Sequence, residues 1–261
     1  MSNPDPELTR RKLMLGTLQG AAAVALSGCE KVFDSLSQSE TMHSILESAE
    51  HVNRRVHRLL SGRYKLAQEF TEQDISPTFR ANGNPPPVTN EYVEDAAKQF
   101  INWRLEISGM VQQPIFFSLA ELKSMPARTQ ITRHDCVEGW SAIGKWKGVR
   151  LEELVDRARP RPGAKYIVFH CMDADGDGKH YYESIDLIDA IHPQTILAYE
   201  LNDRALPVEN GAPLRLRVEN QLGYKHAKYI RAIEFVAALE TIGGGKGSYW
   251  ADQGYEWYAG I

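Results

Sequence analysis

Leu214, Leu216 and Val218 alternate with Arg215, Arg217 and Glu219, a two-residue period that sets three apolar side chains on one face of a strand. Two guanidinium groups and a carboxylate then share the other face, which must meet either solvent or a site. The same period recurs upstream. Trp103, Leu105 and Ile107 alternate with Arg104, Glu106 and Ser108 before Gly109, as a half-buried ribbon does. Tyr166-Ile-Val-Phe169 is a short apolar run of the kind expected in a buried strand. Beyond Trp103 helical spacing appears only in short stretches, Leu119 to Ser124, Leu151 to Ala158 and Leu187 to Ile191. No internal repeat is present. The pattern predicts an α+β chain in which strands dominate.

The 261 residues are 43% hydrophobic and 25% charged, which suits a folded globular chain and argues against disorder, a fibrous repeat or a polytopic membrane protein. A formal charge of −4, from 30 basic and 34 acidic side chains, offers no footprint for a phosphate backbone, so no nucleic acid partner is expected. Three cysteines are too few for a disulfide scaffold of this size.

Arg10-Arg11-Lys12 opens an uncharged stretch from Leu13 to Gly28. At 1.5 Å per residue it would span roughly 24 Å, short of a hydrocarbon core of about 30 Å, and it reads as a signal segment over residues 1–28. The paired arginines resemble the twin-arginine export signal, which carries folded proteins into the periplasm. Leu26-Ser-Gly-Cys29 resembles a lipobox, making Cys29 the candidate lipid anchor. Residues 29–75 read as a linker with one amphipathic helix, since Ile45, Leu46, Ala49, Val52, Val56, Leu59 and Leu60 fall at helical spacing between Thr41 and Leu60. Ser76 to Thr89, with Pro77, Asn82, Gly83, Asn84 and three prolines from Pro85, is an irregular arm that opens the main domain, residues 76–261.

Three local patterns carry chemistry. Asp173-Ala-Asp175-Gly-Asp177-Gly178 matches the first half of a calcium loop, but Ser184 stands where the bidentate glutamate belongs, so a turn between strands is the better reading. His134, Cys136, His170 and Cys171 are enough by count for zinc, yet their spacing fits no compact site, and Cys171 reads as a small buried hydrophobe after an apolar strand. Cys136 follows Arg133 and His134, and cationic neighbours bias a thiol toward thiolate. Taken alone, these residues leave reactive thiol, metal ligand and inert cysteine all open.

Cys136-Val-Glu-Gly-Trp-Ser141, Trp146-Lys-Gly-Val149, Leu197-Ala-Tyr-Glu-Leu-Asn202, Asn210-Gly-Ala-Pro-Leu-Arg215-Leu216 and Gly223-Tyr-Lys-His-Ala-Lys228 occur in that order. Together they resemble the molybdenum-cofactor domain of the sulfite oxidase family, over roughly residues 76–261. The resemblance implies that family's molybdopterin-binding fold, with mixed strand-rich sheets and short peripheral helices. It implies molybdenum held by Cys136 beside the dithiolene of molybdopterin, soft thiolates on a redox metal. It places Lys225, His226 and Lys228 around the pterin, where their donors suit its terminal phosphate, and directs Arg215 toward the cofactor and an anion pocket. His134 and Asn210 are expected beside the cofactor. Asn210 stands where animal sulfite oxidases carry histidine and where bacterial relatives that reduce methionine sulfoxide carry asparagine. Arg80 and Asn82 lie where an arm reaches the metal pocket, and Tyr255 is in register with the active-site tyrosine.

The implied activity is a two-electron oxygen-atom transfer on a small-molecule substrate, of the sulfoxide reductase or the sulfite dehydrogenase kind, with Cys136, Tyr255 and Arg215 as catalytic residues. No Cys-x-x-Cys-His haem motif occurs. Electrons are therefore expected to pass through a separate partner, a membrane haem protein or a periplasmic cytochrome. The family's dimerisation domain would follow Ile261, which leaves a monomer open. The rival reading is a non-catalytic exported module that binds calcium through Asp173, Asp175 and Asp177.

Overall fold

The computed structural model describes residues 52, 54–56, 58, 65–81 and 83–261. The signal segment, Cys29, Asn82 and most of the helix expected over 41–60 lie outside the described residues; the described positions between 52 and 58 are helical. The chain divides into two units, 1–56 and 57–261, and everything below concerns the second. Among the described residues no helix is long and apolar enough to cross a membrane.

Among the described residues ten strands form two sheets. The first runs β2 (Ile115–Ser118), β1 (Arg104–Gly109), β10 (Ile230–Val236), β5 (Tyr166–Ala174), β6 (His180–Asp186). Only the β1/β10 pair is parallel, which is possible because the whole second sheet is threaded between those two strands. The second sheet runs β3 (Ala127–Asp135), β4 (Ser141–Arg150), β7 (Ile196–Leu201), β8 (Arg204–Ala205), with β9 (Arg215–Arg217) also paired to β7. This is the mixed, strand-rich α+β fold expected. One apolar cluster takes Leu105, Ile107, Phe169 and Ile233 from the first sheet and Trp146, Val149, Leu197 and Leu216 from the second. Burying each such side chain contributes about 1.5–3 kcal/mol.

The helices are α1 (Asn90–Ala97), α2 (Leu119–Ser124), α3 (Leu151–Ala158), α4 (Leu187–Ala190) and α5 (Tyr249–Asp252). Each of the three stretches read from helical spacing is a helix. Local chemistry explains two of the starts. Ser118 Oγ accepts from Glu121 N at 3.1 Å while the Glu121 carboxylate takes Ser118 N at 2.7 Å, a capping box at α2. The Asp186 carboxylate accepts from Ile188 N and Asp189 N at α4.

Strand β9 departs from the simplest expectation. Its charged face does not meet solvent: Arg215 and Arg217 are 0% exposed and Glu219 is 4% exposed, while Leu214, Leu216 and Val218 on the other face are buried too. The outer edge of β9 is covered by the returning chain, with Leu216 N donating to Ala227 O and Ile230 N to Leu214 O. The charges survive burial by pairing. Arg217 donates to Glu219 at 2.9 and 2.6 Å and lies over the Trp146 ring at 4.5 Å.

The arm runs along the second sheet. Phe70 N donates to Ile131 O on β3 and Ser76 N to Ile143 O on β4, after which Phe79 packs edge-on against Trp146 at 5.0 Å. This track delivers Gly83 and Asn84 to the mouth of the cavity described next.

Candidate active site

Cys136 sits at the tip of the β3–β4 hairpin, where Cys136 N donates to Trp140 O at 2.9 Å and Gly139 N to Cys136 O at 3.0 Å. Gly139 has φ +85°, a conformation that costs a side-chain-bearing residue and keeps the turn tight. The hairpin presents a free, half-buried thiol to a cavity of about 100 Å³ that is partly open to solvent. Facing it are Arg215 from β9 and His226 and Lys228 from the chain that returns beside β9. The lining also includes Tyr255 and Trp250 from the α5 region, Tyr181 from β6 and Tyr224. Five residues that the sequence nominates, Cys136, Arg215, His226, Lys228 and Tyr255, therefore line one cavity.

Two more stand behind it. His134 is fully buried with its ring 5.1 Å from that of His226, and Asn210 is buried with its carbonyl accepting from Arg215 Nη1 at 3.1 Å. The remaining nominees are placed elsewhere. Lys225 points away from the cavity: its Nζ donates to the buried Glu183 carboxylate and to Ser184 O. On the short turn Gly223–Lys225 successive side chains diverge, and a buried ammonium must find a carboxylate. Arg80 is exposed, with its guanidinium over the Trp140 ring at 5.5 Å.

The calcium and zinc readings fail on geometry. Asp173 is buried and lines the cavity, whereas Asp175 caps the β5–β6 turn by accepting from Asp177 N and Lys179 N. The three carboxylates do not share a centre. His170 bonds Glu234 across the sheet and Cys171 is core, as read from its apolar strand. Among the described residues no three His, Cys, Asp or Glu side chains converge on a metal-ion position.

The electrostatics of Cys136 also differ from the expectation. Arg133 turns outward to Asp135 at 2.9 Å. His134 is neutral, because burial and then Arg217 and Arg215 push it well below the usual histidine range. Burial raises the Cys136 thiol, and of its cationic surroundings it is Arg215 across the cavity that pulls the other way. Arg215 itself is drawn down to about 9 by burial and Arg217, which leaves it charged at neutral pH. Burial lowers Lys228 to about 8, with Arg215 adding to the effect, and raises Asp173 to about 6 against the opposing pull of Asn84 and Lys228.

The two histidines are held in opposite tautomers. Arg217 Nη1 meets His134 Nδ1 at 3.0 Å, and a guanidinium can only donate, so the proton of His134 sits on Nε2. His226 Nε2 faces two acceptors, Val218 O at 3.0 Å and Gln221 O at 3.2 Å, so its Nδ1 is bare. His134 Nε2, His226 Nδ1 and Asn210 Nδ2 are all buried without a hydrogen-bond partner. Leaving such groups unmet costs about 1–3 kcal/mol each. Gly223 keeps this corner open, since a Cβ there would stand 2.4 Å from the His134 ring. Unmet donors and acceptors beside cationic side chains and one thiol suit a polar, anionic, metal-bearing cofactor.

Residues 91–241 match the family described as the oxidoreductase molybdopterin binding domain, a span that contains all five blocks of the resemblance. The chain belongs to this family. The resemblance to the sulfite oxidase family is thereby confirmed, and this molybdopterin-dependent oxidoreductase has relatives of known name. A protein of Azospira oryzae, provisionally named protein-methionine-sulfoxide reductase subunit YedZ1, is 36% identical over 96% of this chain and 86% of its own length. The protein-methionine-sulfoxide reductase catalytic subunit MsrP of Campylobacter jejuni is 34% identical over 51% of this chain and 49% of its own. MsrP of Xanthomonas campestris is 39% identical over 52% and 46%. The match thus spans about half the length of each MsrP.

Several lining residues of this oxidoreductase escaped the sequence reading: Asn84, Glu138, Asp173, Tyr181 and Trp250. Asp173 was obscured by the calcium-like pattern. Glu138 is two residues from Cys136 and carried no signal of its own.

Proposed function

We propose that the chain is a reductase that removes oxygen from methionine sulfoxide in proteins, drawing electrons from a separate redox partner. The lining of the cavity carries this reading. Two carboxylates, Glu138 and Asp173, and four aromatic rings share the walls with Cys136, and the two cations of the lining, Arg215 and Lys228, are those this reading assigns to the cofactor. Such a lining disfavours a small anion such as sulfite and accommodates a neutral sulfoxide. The names of the relatives support the same substrate.

In this reading Cys136 holds the molybdenum. His226, Lys228 and Arg215, backed by His134 and Asn210, hold the molybdopterin and its phosphate. When bound, the cofactor supplies a two-electron exchange with an oxygen atom. The sulfoxide, two electrons and two protons yield thioether and water, so the chain must orient the S=O group and deliver protons. To Tyr255, 40% exposed and part of the lining, this reading assigns the hydrogen bond to the sulfoxide oxygen. The paired arginines Arg10 and Arg11 support twin-arginine export to the periplasm, and Cys29 a lipid anchor there; a membrane haem protein or a soluble cytochrome would supply electrons.

The test is to assay holoenzyme with reduced viologen plus oxidised, methionine-rich protein, and with ferricyanide plus sulfite. Sulfoxide-dependent viologen oxidation without sulfite turnover is expected. Sulfite turnover alone would overturn the reading.

A further inference from the structure

Four of the residues that line the cavity with Cys136 belong, with Tyr249 behind them, to a continuous run of rings. Tyr181 stands 5.5 Å from Tyr249, Tyr249 lies 5.3 Å from Trp250, Trp250 lies 5.1 Å from Tyr255, and Tyr255 lies 5.3 Å from Tyr224. The hydroxyls of Tyr181, Tyr224 and Tyr249 are tied to Tyr224 O, Glu256 O and the Asp175 carboxylate, so what this wall offers a ligand is mainly ring surface. The wall is also held still. Ser248 caps α5 through Ala251 N at 3.1 Å, and Asp252 fixes the preceding glycine-rich turn by accepting from Gly244 N at 2.7 Å and Tyr182 OH at 2.8 Å. Trp250 is half-buried and Tyr255 is 40% exposed, an arrangement that leaves apolar aromatic surface at the entrance to a polar cavity.

Packing alone explains Tyr181 and Tyr249, which are buried. It does not explain why Trp250 and Tyr255 face the cavity. A rigid aromatic ledge beside a charged pocket fits a ligand with a polar reactive head and a short apolar arm, and sulfur is drawn to ring edges and faces by its polarizability. We propose that Trp250 and Tyr255 form the surface against which the alkyl arm of the sulfoxide substrate packs, and that Trp250 sets the preference for a methionine side chain over smaller sulfoxides. This rests on the sulfoxide reading above and assigns a specificity role to a residue outside the cofactor cradle.

The experiment compares wild-type, Trp250→Leu and Trp250→Phe holoenzymes at equal molybdenum content, with reduced viologen as donor. The substrates are a short peptide bearing one methionine sulfoxide and dimethyl sulfoxide. In Trp250→Leu the ratio of kcat/KM for the peptide over dimethyl sulfoxide falls about tenfold, mostly through a higher peptide KM, while Trp250→Phe keeps it within about threefold. Should Trp250→Leu fail to fold, Tyr255→Leu at the exposed end of the wall carries the same fall in the ratio, because loss of its hydroxyl slows both sulfoxides alike. A ratio unchanged in the leucine variants overturns the wall but leaves the sulfoxide reading intact. Wild-type enzyme inactive on both sulfoxides overturns the reading itself, and the wall with it.

Discussion

Arg217 reaches the Nδ1 of His134 across 3.0 Å while its other two nitrogens grip Glu219, so one buried guanidinium decides which nitrogen of a neighbouring imidazole carries the proton. The consequence for the cavity is a fixed N–H at His134 Nε2, buried and ready for a ligand acceptor. Arg217→Met removes that lock and strands Glu219, whose side chain is 0% exposed. Losing one partner of a buried pair costs about 3–5 kcal/mol. Urea unfolding should show a loss of that order, and Glu219→Gln added to Arg217→Met should restore part of it. His134 should then titrate and change tautomer, visible in its ring nitrogen shifts. An unchanged tautomer would separate Arg217 from His134.

Lys225 supplies a second, independent prediction. Because its Nζ serves Glu183 and Ser184 O inside the first sheet, Lys225→Met should act on stability first, by about 3–5 kcal/mol, through an uncompensated Glu183. Lys228→Met, by contrast, removes an ammonium on the cavity wall and should act first on cofactor retention. Denaturant midpoints and molybdenum content of the two variants, measured side by side, separate these roles. Equal cofactor loss at equal stability would return Lys225 to the cradle.

Asp173 makes the cofactor-free protein sensitive to pH. Burial raises its carboxyl from 3.8 to about 6. The folded state therefore holds a proton that the unfolded chain releases near pH 4, so the contribution to stability is complete below about 4 and is lost as pH rises through 6. By linkage the difference is up to about 3 kcal/mol. Asp173→Asn should flatten this part of the stability profile between those limits. Urea midpoints measured from pH 4 to 7 in both proteins check it, and parallel profiles would mean that Asp173 does not titrate there.

Much of this fold is legible from periodicity, since Leu105, Ile107 and the run from Ile167 to Phe169 are buried as their patterns require, and α2 and α4 begin at side-chain caps. Periodicity names a face but not what covers it. Arg215 and Arg217 share a face that could have met water, and Trp146 and His134, from other strands of the second sheet, lie against it. The same limit misdirects Cys136. Arg133 and His134 precede it in the chain, yet alternation along β3 sends one to solvent and one to the core, and the cation that matters arrives from a strand some eighty residues later. Lys225 shows the converse error: counting donors in a loop ignores that adjacent side chains on a tight turn point apart. Trp250 lies in the aromatic segment that carries Tyr255, yet the segment alone does not say which of its rings will line the cavity.

The central claim is that the Cys136 sulfur holds the metal of a cofactor gripped by the chain around His226 and Lys228. Cys136 sits half-buried on a hairpin tip whose turn depends on backbone bonds and Gly139, so Cys136→Ser should alter stability by no more than about 1 kcal/mol. Molybdenum determined by elemental analysis, on wild-type and Cys136→Ser proteins from a host that makes the cofactor, tests the claim most directly. Near-stoichiometric metal in the wild type and loss of most of it in a folded Cys136→Ser protein is the predicted result; a full complement in the variant would contradict the account.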